Sequence, residues 1–222
     1  MEKGIFITAT GTDIGKTYVS SLWMKELKKK GTSTGYFKPV LSGAQTKNGR
    51  MVDSDVHYVC KTAKLLKRPE ELVSYAFKMA ASPHLAAKME STPIKKEKIF
   101  SDFQRVSKEY DYMVVEGCGG IACPIYLGEE TILLTDLVQM LGLEILIVAS
   151  AELGTINTTI LTVAFAQKHK IPIRGIVLNR FQRGNFLHED NRIQIERLTG
   201  IPVIAIVQEN AEELEFCIQN LL

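Results

Sequence analysis

The stretch that decides the fold is "GIFITATGTDIGKTYVSSLWMKELKKKG", residues 4–31. Residues 4–10 are an apolar run rich in β-branched side chains, residues 11–15 a turn with two glycines, and from residue 16 the apolar positions recur at helical spacing. Strand, glycine turn and helix in that order describe a phosphate-cradling loop. Gly11 and Gly15 permit positive φ and close backbone approach, so successive N–H groups can converge on an anion. A helix opening at Lys16 adds its positive end, Lys16 a mobile charge, and Thr17 a hydroxyl able to ligate Mg²⁺. The loop departs from the G-x-x-x-x-G-K-[ST] signature, because Thr10 stands five residues before Gly15. Thr12, Asp13, Ile14, Gly15, Lys16 and Thr17 form the expected nucleotide-binding set.

The same alternation continues along the chain. Residues 33–40, 110–117, 143–150, 173–179 and 201–207 read as further strands, several of them apolar at nearly every position. Helical patterns cover 16–30, 54–66, 83–90, 96–109, 155–169, 188–199 and 211–221. The order predicts a doubly wound α/β fold, a mostly parallel sheet between helix layers, as one P-loop NTPase-like domain over residues 1–222. Ligands of such sheets bind beyond the carboxyl ends of the strands. The glycine loop, "KPVLSG", "EGCGG", "AELGTIN" and "LNR" all follow strands. The polar stretch 42–55 is the longest loop, a candidate lid or binding loop.

Composition narrows the function classes. A chain of 222 residues, 45% hydrophobic, can bury a substantial core. The net charge of +2 leaves no strong polyanion signal. The basic runs "KELKKKG" and "IKKEKIF" each contain an acid and lie at helical spacing, so solvated faces are expected and a nucleic-acid partner is not. The opening apolar run is too short for a signal peptide, and no run reaches the roughly 18 apolar residues of a membrane helix. A cytoplasmic location without a membrane partner is the expectation. Cys60, Cys118, Cys123 and Cys217 show no C-x-x-C pairing, so buried small hydrophobes are expected rather than zinc ligands or disulfides.

A Mg²⁺-nucleotide site needs hard oxygen ligands beside the phosphates. Glu116, ending the run "DYMVV", stands where a Walker-B acid belongs. Asp55, at a predicted helix start, is a second ligand or a first-turn acid; Asp53 reads as a cap. The expected metal set is Thr17, Asp55 and Glu116. Gly117 and Gly119 in "EGCGG" offer further backbone N–H groups to an anion. The Asn179 carboxamide can both accept from and donate to adenine, and Arg180 follows it. The acid that guanine readers of this fold carry is missing from "NRFQ", which favours ATP over GTP.

"TGTDIGKT", "KPVLSG", "SDVH", "ASPHLAA", "VVEGCGG", "LGTIN" and "VLNR", in this order, resemble the dethiobiotin synthetases over nearly the whole chain, more weakly after about residue 180. The resemblance implies a ligase of biotin biosynthesis that joins CO₂ to 7,8-diaminononanoate and closes the ring with ATP. It implies a carbamate, then a carbamic-phosphoric anhydride, then release of ADP and phosphate. Lys16 and Lys38 become the expected catalytic cations; Lys38, Ser42, Gly119, Thr155 and Asn157 the expected substrate contacts. The last two would hold the substrate carboxylate at a helix start, across a homodimer interface. Asp13 stands where the family often has Glu, and Ala9 where many members have an outer glycine. His84 reads as a packing or capping residue. A switch ATPase of the chromosome-partitioning type is the competing reading, but no lysine precedes Lys16 in the loop and the acidic "NAEELEFCIQNLL" does not suit a basic membrane helix.

Overall fold

Strands apolar at every position must be covered on both faces, and the chain does this with helices. The computed structural model describes residues 4–47 and 50–217. In chain order the elements are β1 (Gly4–Ala9), α1 (Lys16–Lys29), β2 (Thr34–Ser42), β3 (Gln45–Lys47), β4 (Arg50–Val52), α2 (Asp55–Thr62), β5 (Val73–Phe77), α3 (Pro83–Met89), α4 (Lys96–Ser107), β6 (Tyr112–Glu116), β7 (Pro124–Leu127), β8 (Thr131–Leu133), α5 (Leu134–Leu141), β9 (Glu144–Ser150), α6 (Thr155–Lys168), β10 (Ile173–Asn179), α7 (Phe186–Thr199), β11 (Val203–Val207) and β12 (Glu215–Phe216). Among the described residues one sheet runs β12-β11-β10-β9-β1-β6-β2-β5, parallel except for β12.

β1 lies centrally between β9 and β6, and Ile5, Phe6 and Ile7 have no exposed surface. That burial fixes the register on which the site depends. Ile7 pairs with Glu116 and Phe37 with Val115, so the ends of β1, β2 and β6 meet at one level. β2 pairs with β6 through Thr34–Phe37 and with β5 from Lys38 onward. Pro39 has no N–H to give a ladder, and it falls where β2 has run past the end of β6. Lys38 is thus inside a strand rather than at the end expected for it, one residue past the Phe37–Val115 pair and level with Glu116.

Six predicted strands and six predicted helices are present within a few residues. The last prediction is not. Residues 211–217 form no helix; Glu215 and Phe216 turn back antiparallel to β11, and the Phe216 ring meets Trp23 edge-on at 6.0 Å. Residues 218–222 of that predicted helix lie outside the described ones. The expected loop 42–55 folds into the β3–β4 hairpin, with Met51 buried. β5, α5 and the β7–β8 hairpin were not predicted. The α5 signal was present, since Leu134, Leu137, Val138 and Leu141 follow the i, i+3, i+4, i+7 pattern and all are buried.

The layer between β2 and α4 is closed by Phe37 and Phe103, with ring centroids 5.7 Å apart and at most 1% of either side exposed. Phe103→Ala is expected to cost about 3–5 kcal/mol through lost burial and a residual cavity. A urea unfolding midpoint lowered at constant m-value would show it; an unchanged midpoint would mean the layer closes without that ring.

Candidate active site

Strand β2 and helix α1 deliver their polar side chains to a single carboxylate at the end of β6. Glu116 is fully buried. Its Oε1 accepts from Thr17 Oγ1 at 2.7 Å and from Lys38 Nζ at 2.7 Å, and its Oε2 accepts from the Tyr36 hydroxyl at 2.8 Å. An isolated buried carboxylate is prohibitively costly, and three donors, one of them cationic, offset that cost. Lys38 Nζ also donates to Asp55 Oδ2, which draws the first turn of α2 to the same point. Asp55 is therefore both a first-turn acid and an ion-pair partner. The cap is Ser54, whose side chain accepts from His57 N at 3.2 Å; Asp53, expected to cap, sits outside the helix at φ 46°.

The cluster sets its own protonation. Burial alone would push the Lys38 ammonium down, but the Glu116 and Asp55 carboxylates override it and its pKa is raised. Burial would raise the Asp55 carboxyl, yet the Lys38 charge and donation from Lys38 and Thr17 hold it below its ordinary value. Burial pushes the Tyr36 hydroxyl well up, Glu116 adding to the effect, so it remains a donor. Lys16 is lowered, chiefly by burial, with Glu116 opposing. Tyr36 was missed in the sequence, although it lies two residues before Lys38 and so on the same face of β2.

The glycine loop takes its shape from its neighbours. Asp13 has φ 60° and Gly15 φ 98°, and Lys16 Nζ folds back to the Gly11 carbonyl at 3.1 Å. From the end of β10, Asn179 Nδ2 donates to the Ile14 carbonyl at 2.8 Å and Arg180 Nη2 to that of Asp13 at 3.0 Å. A Cβ on Gly15 would stand 2.2 Å from Asn179 Nδ2, so glycine is required here for space as well as for φ. Part of the Asn179 amide expected to read adenine thus holds the loop, leaving its Oδ1 and one amide proton for a base.

A cleft of about 1250 Å³ opens above these groups. Thr12, Asp13, Gly15, Lys16, Thr17, Lys38, Ser42, Asp55, Glu116, Gly119 and Arg180 line it, as expected. Ser42 Oγ is buried without a hydrogen-bond partner, a group left to meet a ligand. Ile14, Gly117, Asn179, Thr155 and Asn157 are not in the wall. The Gly117 N–H is spent on the Ile7 carbonyl at 2.9 Å. Thr155 is buried beside Thr159, Asn157 is exposed, and the α6 N-cap is Gly154. Cys118 and Cys123 also line the cleft as free thiols, against the expectation of buried small hydrophobes, which holds for Cys60. A hydrogen bond from Cys118 holds the Cys123 thiol down against its burial, and Lys16 assists.

Thr17, Asp55 and Glu116 are hard oxygen donors in one cluster, suited to Mg²⁺. No three or more His, Cys, Asp or Glu residues among those described could hold a metal by themselves. An ion here would complete its shell with phosphate oxygens and water, as Mg²⁺ does when it travels with a nucleotide.

A glycine loop between β1 and α1, facing a buried acid at the end of a parallel strand, defines a P-loop nucleoside triphosphate-binding protein. Residues 3–214 match a family described as "AAA domain". The ATP-dependent dethiobiotin synthetase BioD of Clostridium botulinum (strain Alaska E43 / Type E3) is 44% identical over 221 residues, 100% of this chain and 97% of that protein. Its namesake from Brachyspira hyodysenteriae (strain ATCC 49526 / WA1) is 45% identical over 216 residues, 97% of this chain and 96% of the other. The chain belongs to the ATP-dependent dethiobiotin synthetase family of P-loop proteins. Among solved structures, a ParA family ATPase from Chlorobium tepidum TLS superposes with a TM-score of 0.57 at 13% identity, over 96% of this chain and 87% of that one. A chain of the MinC:MinD cell division protein complex of Aquifex aeolicus gives 0.56 at 17% identity, over 95% and 83%. At these identities the likeness is one of fold alone.

Two outcomes follow from the geometry. Gly15→Ala is expected to displace the loop and weaken Mg-ATP binding by about tenfold or more, the scale of 1–3 kcal/mol for local strain; calorimetry showing parent affinity would mean that Asn179 can move aside. The lowered Asp55 pKa stabilises the fold above the ordinary carboxyl value of 3.8, and that contribution is lost as the pH falls through the folded value. The raised Lys38 pKa contributes fully below 10.5 and is lost only as the pH rises through its folded value. The urea midpoints of the parent and Asp55→Asn should therefore differ by a constant amount between those limits and converge in acid. A gap that persists well below pH 3.8 would contradict the pairing.

Proposed function

We propose that the protein makes dethiobiotin from 7,8-diaminononanoate, CO₂ and ATP. The carrying observation is that Lys16, Lys38, Thr17, Asp55 and Glu116 share one cleft in a chain that matches the family along its length. One diamine nitrogen adds to CO₂, losing a proton and forming a carbamate. A carbamate oxygen attacks the γ-phosphorus as the bond to ADP breaks, giving a carbamic-phosphoric anhydride. The second amine then attacks the carbonyl carbon, the C–O bond to phosphate breaks, and the ring closes.

Charge builds up on phosphoryl and carbamate oxygens, so the demand is for fixed cations and N–H donors. Lys16 and the loop amides hold the β- and γ-phosphates. Lys38, kept charged by its two carboxylates, swings or leans from them to neutralise the carbamate and the transferring group. Ser42 Oγ donates to the carbamate or to a diamine nitrogen. Thr17, Asp55 and Glu116 would hold Mg²⁺, which when bound neutralises phosphate charge. The remaining capacity of Asn179 binds the adenine edge, and Arg180 flanks it. Gly119 packs against the substrate. The exposed Asn157 and the start of α6 serve a neighbouring subunit's substrate carboxylate in a homodimer, which agrees with their lying outside this chain's own cleft. No helix among the described residues is long and apolar enough to cross a membrane. We place the enzyme in the cytoplasm, acting on small molecules.

Purified protein with Mg-ATP, labelled bicarbonate and the diamine should fix acid-stable label in step with phosphate release, and only when the diamine is present. Phosphate release indifferent to the diamine would point to a switch ATPase instead. Lys16→Ala and Lys38→Ala should each reduce label fixation by at least about 10²–10³-fold, the loss expected for one preorganised charge-stabilising group; normal product from Lys38→Ala would remove it from the mechanism.

A further inference from the structure

The Lys38–Glu116 pair has a third member that the proposed ring closure does not use. Tyr36 has no exposed surface, and its hydroxyl donates to Glu116 Oε2 at 2.8 Å. The register makes the contact. Tyr36 pairs with Val114, two residues below Glu116, so the phenol ring spans that distance along β6 and ends against the carboxylate. Phe37, between Tyr36 and Lys38, points to the opposite face and packs on Phe103. Tyr36 and Lys38 thus reach one carboxylate from successive positions on one face of β2, the hydroxyl at Oε2 and the ammonium at Oε1.

Two carboxylates hold the Lys38 ammonium, and they are unequal. Asp55 stands at the start of α2 with 45% of its side chain exposed, whereas the Glu116 side chain is fully enclosed. Glu116 is therefore the fixed partner, and its orientation hangs on one soft rotation, because the terminal torsion of a glutamate is broad and twofold. Thr17 and Lys38 both donate to Oε1; among the described residues Oε2 has no donor but Tyr36. Without that hydroxyl a buried carboxylate oxygen lacks a partner, and the carboxylate turns to share its two remaining donors between both oxygens. The ammonium follows it.

We propose that Tyr36 is a positioning residue: by fixing the Glu116 carboxylate it sets where the Lys38 ammonium stands in the cleft, and through it the rate of the charge-stabilised step. Tyr36 is not in the wall of the cleft, so it acts on substrates only through these groups and leaves their affinity alone. The effect on turnover rests on the function proposed above, whereas the coupling of Tyr36 to Lys38 does not.

Tyr36→Phe keeps the ring and removes only the hydroxyl. Label fixation per Mg-ATP site, with sites counted by calorimetry, should fall about tenfold or more, the scale of one hydrogen bond to a charged group. The KM values for the diamine and Mg-ATP should stay within about twofold of the parent's. In a Lys38→Ala background the same change should cost less than about twofold further, because the hydroxyl acts through the lysine; a merely structural role would lower both backgrounds alike. With ¹⁵N-labelled lysine, the Nζ resonance that Lys38→Ala lacks should shift or broaden in Tyr36→Phe. Should Tyr36→Phe fail to fold, the coupling is read from the other end: with ¹³C at tyrosine Cζ, the slowest-exchanging tyrosine hydroxyl should report Lys38→Arg by a changed Cζ shift. Parent turnover in Tyr36→Phe, an equal loss in both backgrounds, an unmoved Lys38 resonance, or a Cζ shift indifferent to Lys38→Arg would each overturn the proposal. A parent that fixes no label would sink the ligase reading, and the Lys38 resonance would still decide Tyr36.

Discussion

Everything at the end of this sheet depends on the buried pairing of Lys38 with Glu116. A carboxylate with no exposed surface must have donors on both oxygens, and Thr17, Lys38 and Tyr36 supply them. Thr17 comes from α1 and the other two from β2, so satisfying one charge on β6 locks α1, β2 and β6 together. Such pairs seldom add net stability over an apolar core, because desolvating two ions offsets their attraction. Their value here is positional: the lysine is held charged beside a phosphate loop, where an unpaired buried ammonium would lose its proton.

The loop itself is held from outside. Its αL residues at Asp13 and Gly15 are not favoured for a free chain, and the β10 terminus fastens them through two carbonyls. The turn therefore keeps its shape without a ligand to order it. Preorganisation of that kind reduces the ordering cost of binding and is the main contribution a protein makes to phosphoryl transfer. The β6–β7 loop closes the same cleft from the other side, which is why its small residues, Gly119 and Gly120, lie against the phosphate turn.

Where sequence reading failed, tertiary contacts had overridden a local pattern. Residues 211–217 carry apolar positions at helical spacing, yet the edge of β11 needs a cover and Trp23 needs a partner, so Glu215–Phe216 pairs as a strand. The stretch 42–55 has the polarity of a loop, but cross-strand pairing from Gln45 to Val52 makes it a hairpin anchored by Met51. Strand β5 alternates cleanly, with Val73, Tyr75 and Phe77 inward, and was readable by its period of two.

The sequence by itself determined the layer architecture, the phosphate loop and the identities of the charged groups, because strand periodicity, glycine conformation and side-chain chemistry are properties of short segments. Only the tertiary structure decided which of those groups meet. Tyr36 joined the site, Asn179 turned toward the loop, Gly117 gave its N–H to β1, and Thr155 and Asn157 stayed outside the cleft. The reason is that register and burial are collective: each is set by the packing of strands and helices far apart in the chain, and no local spacing encodes it.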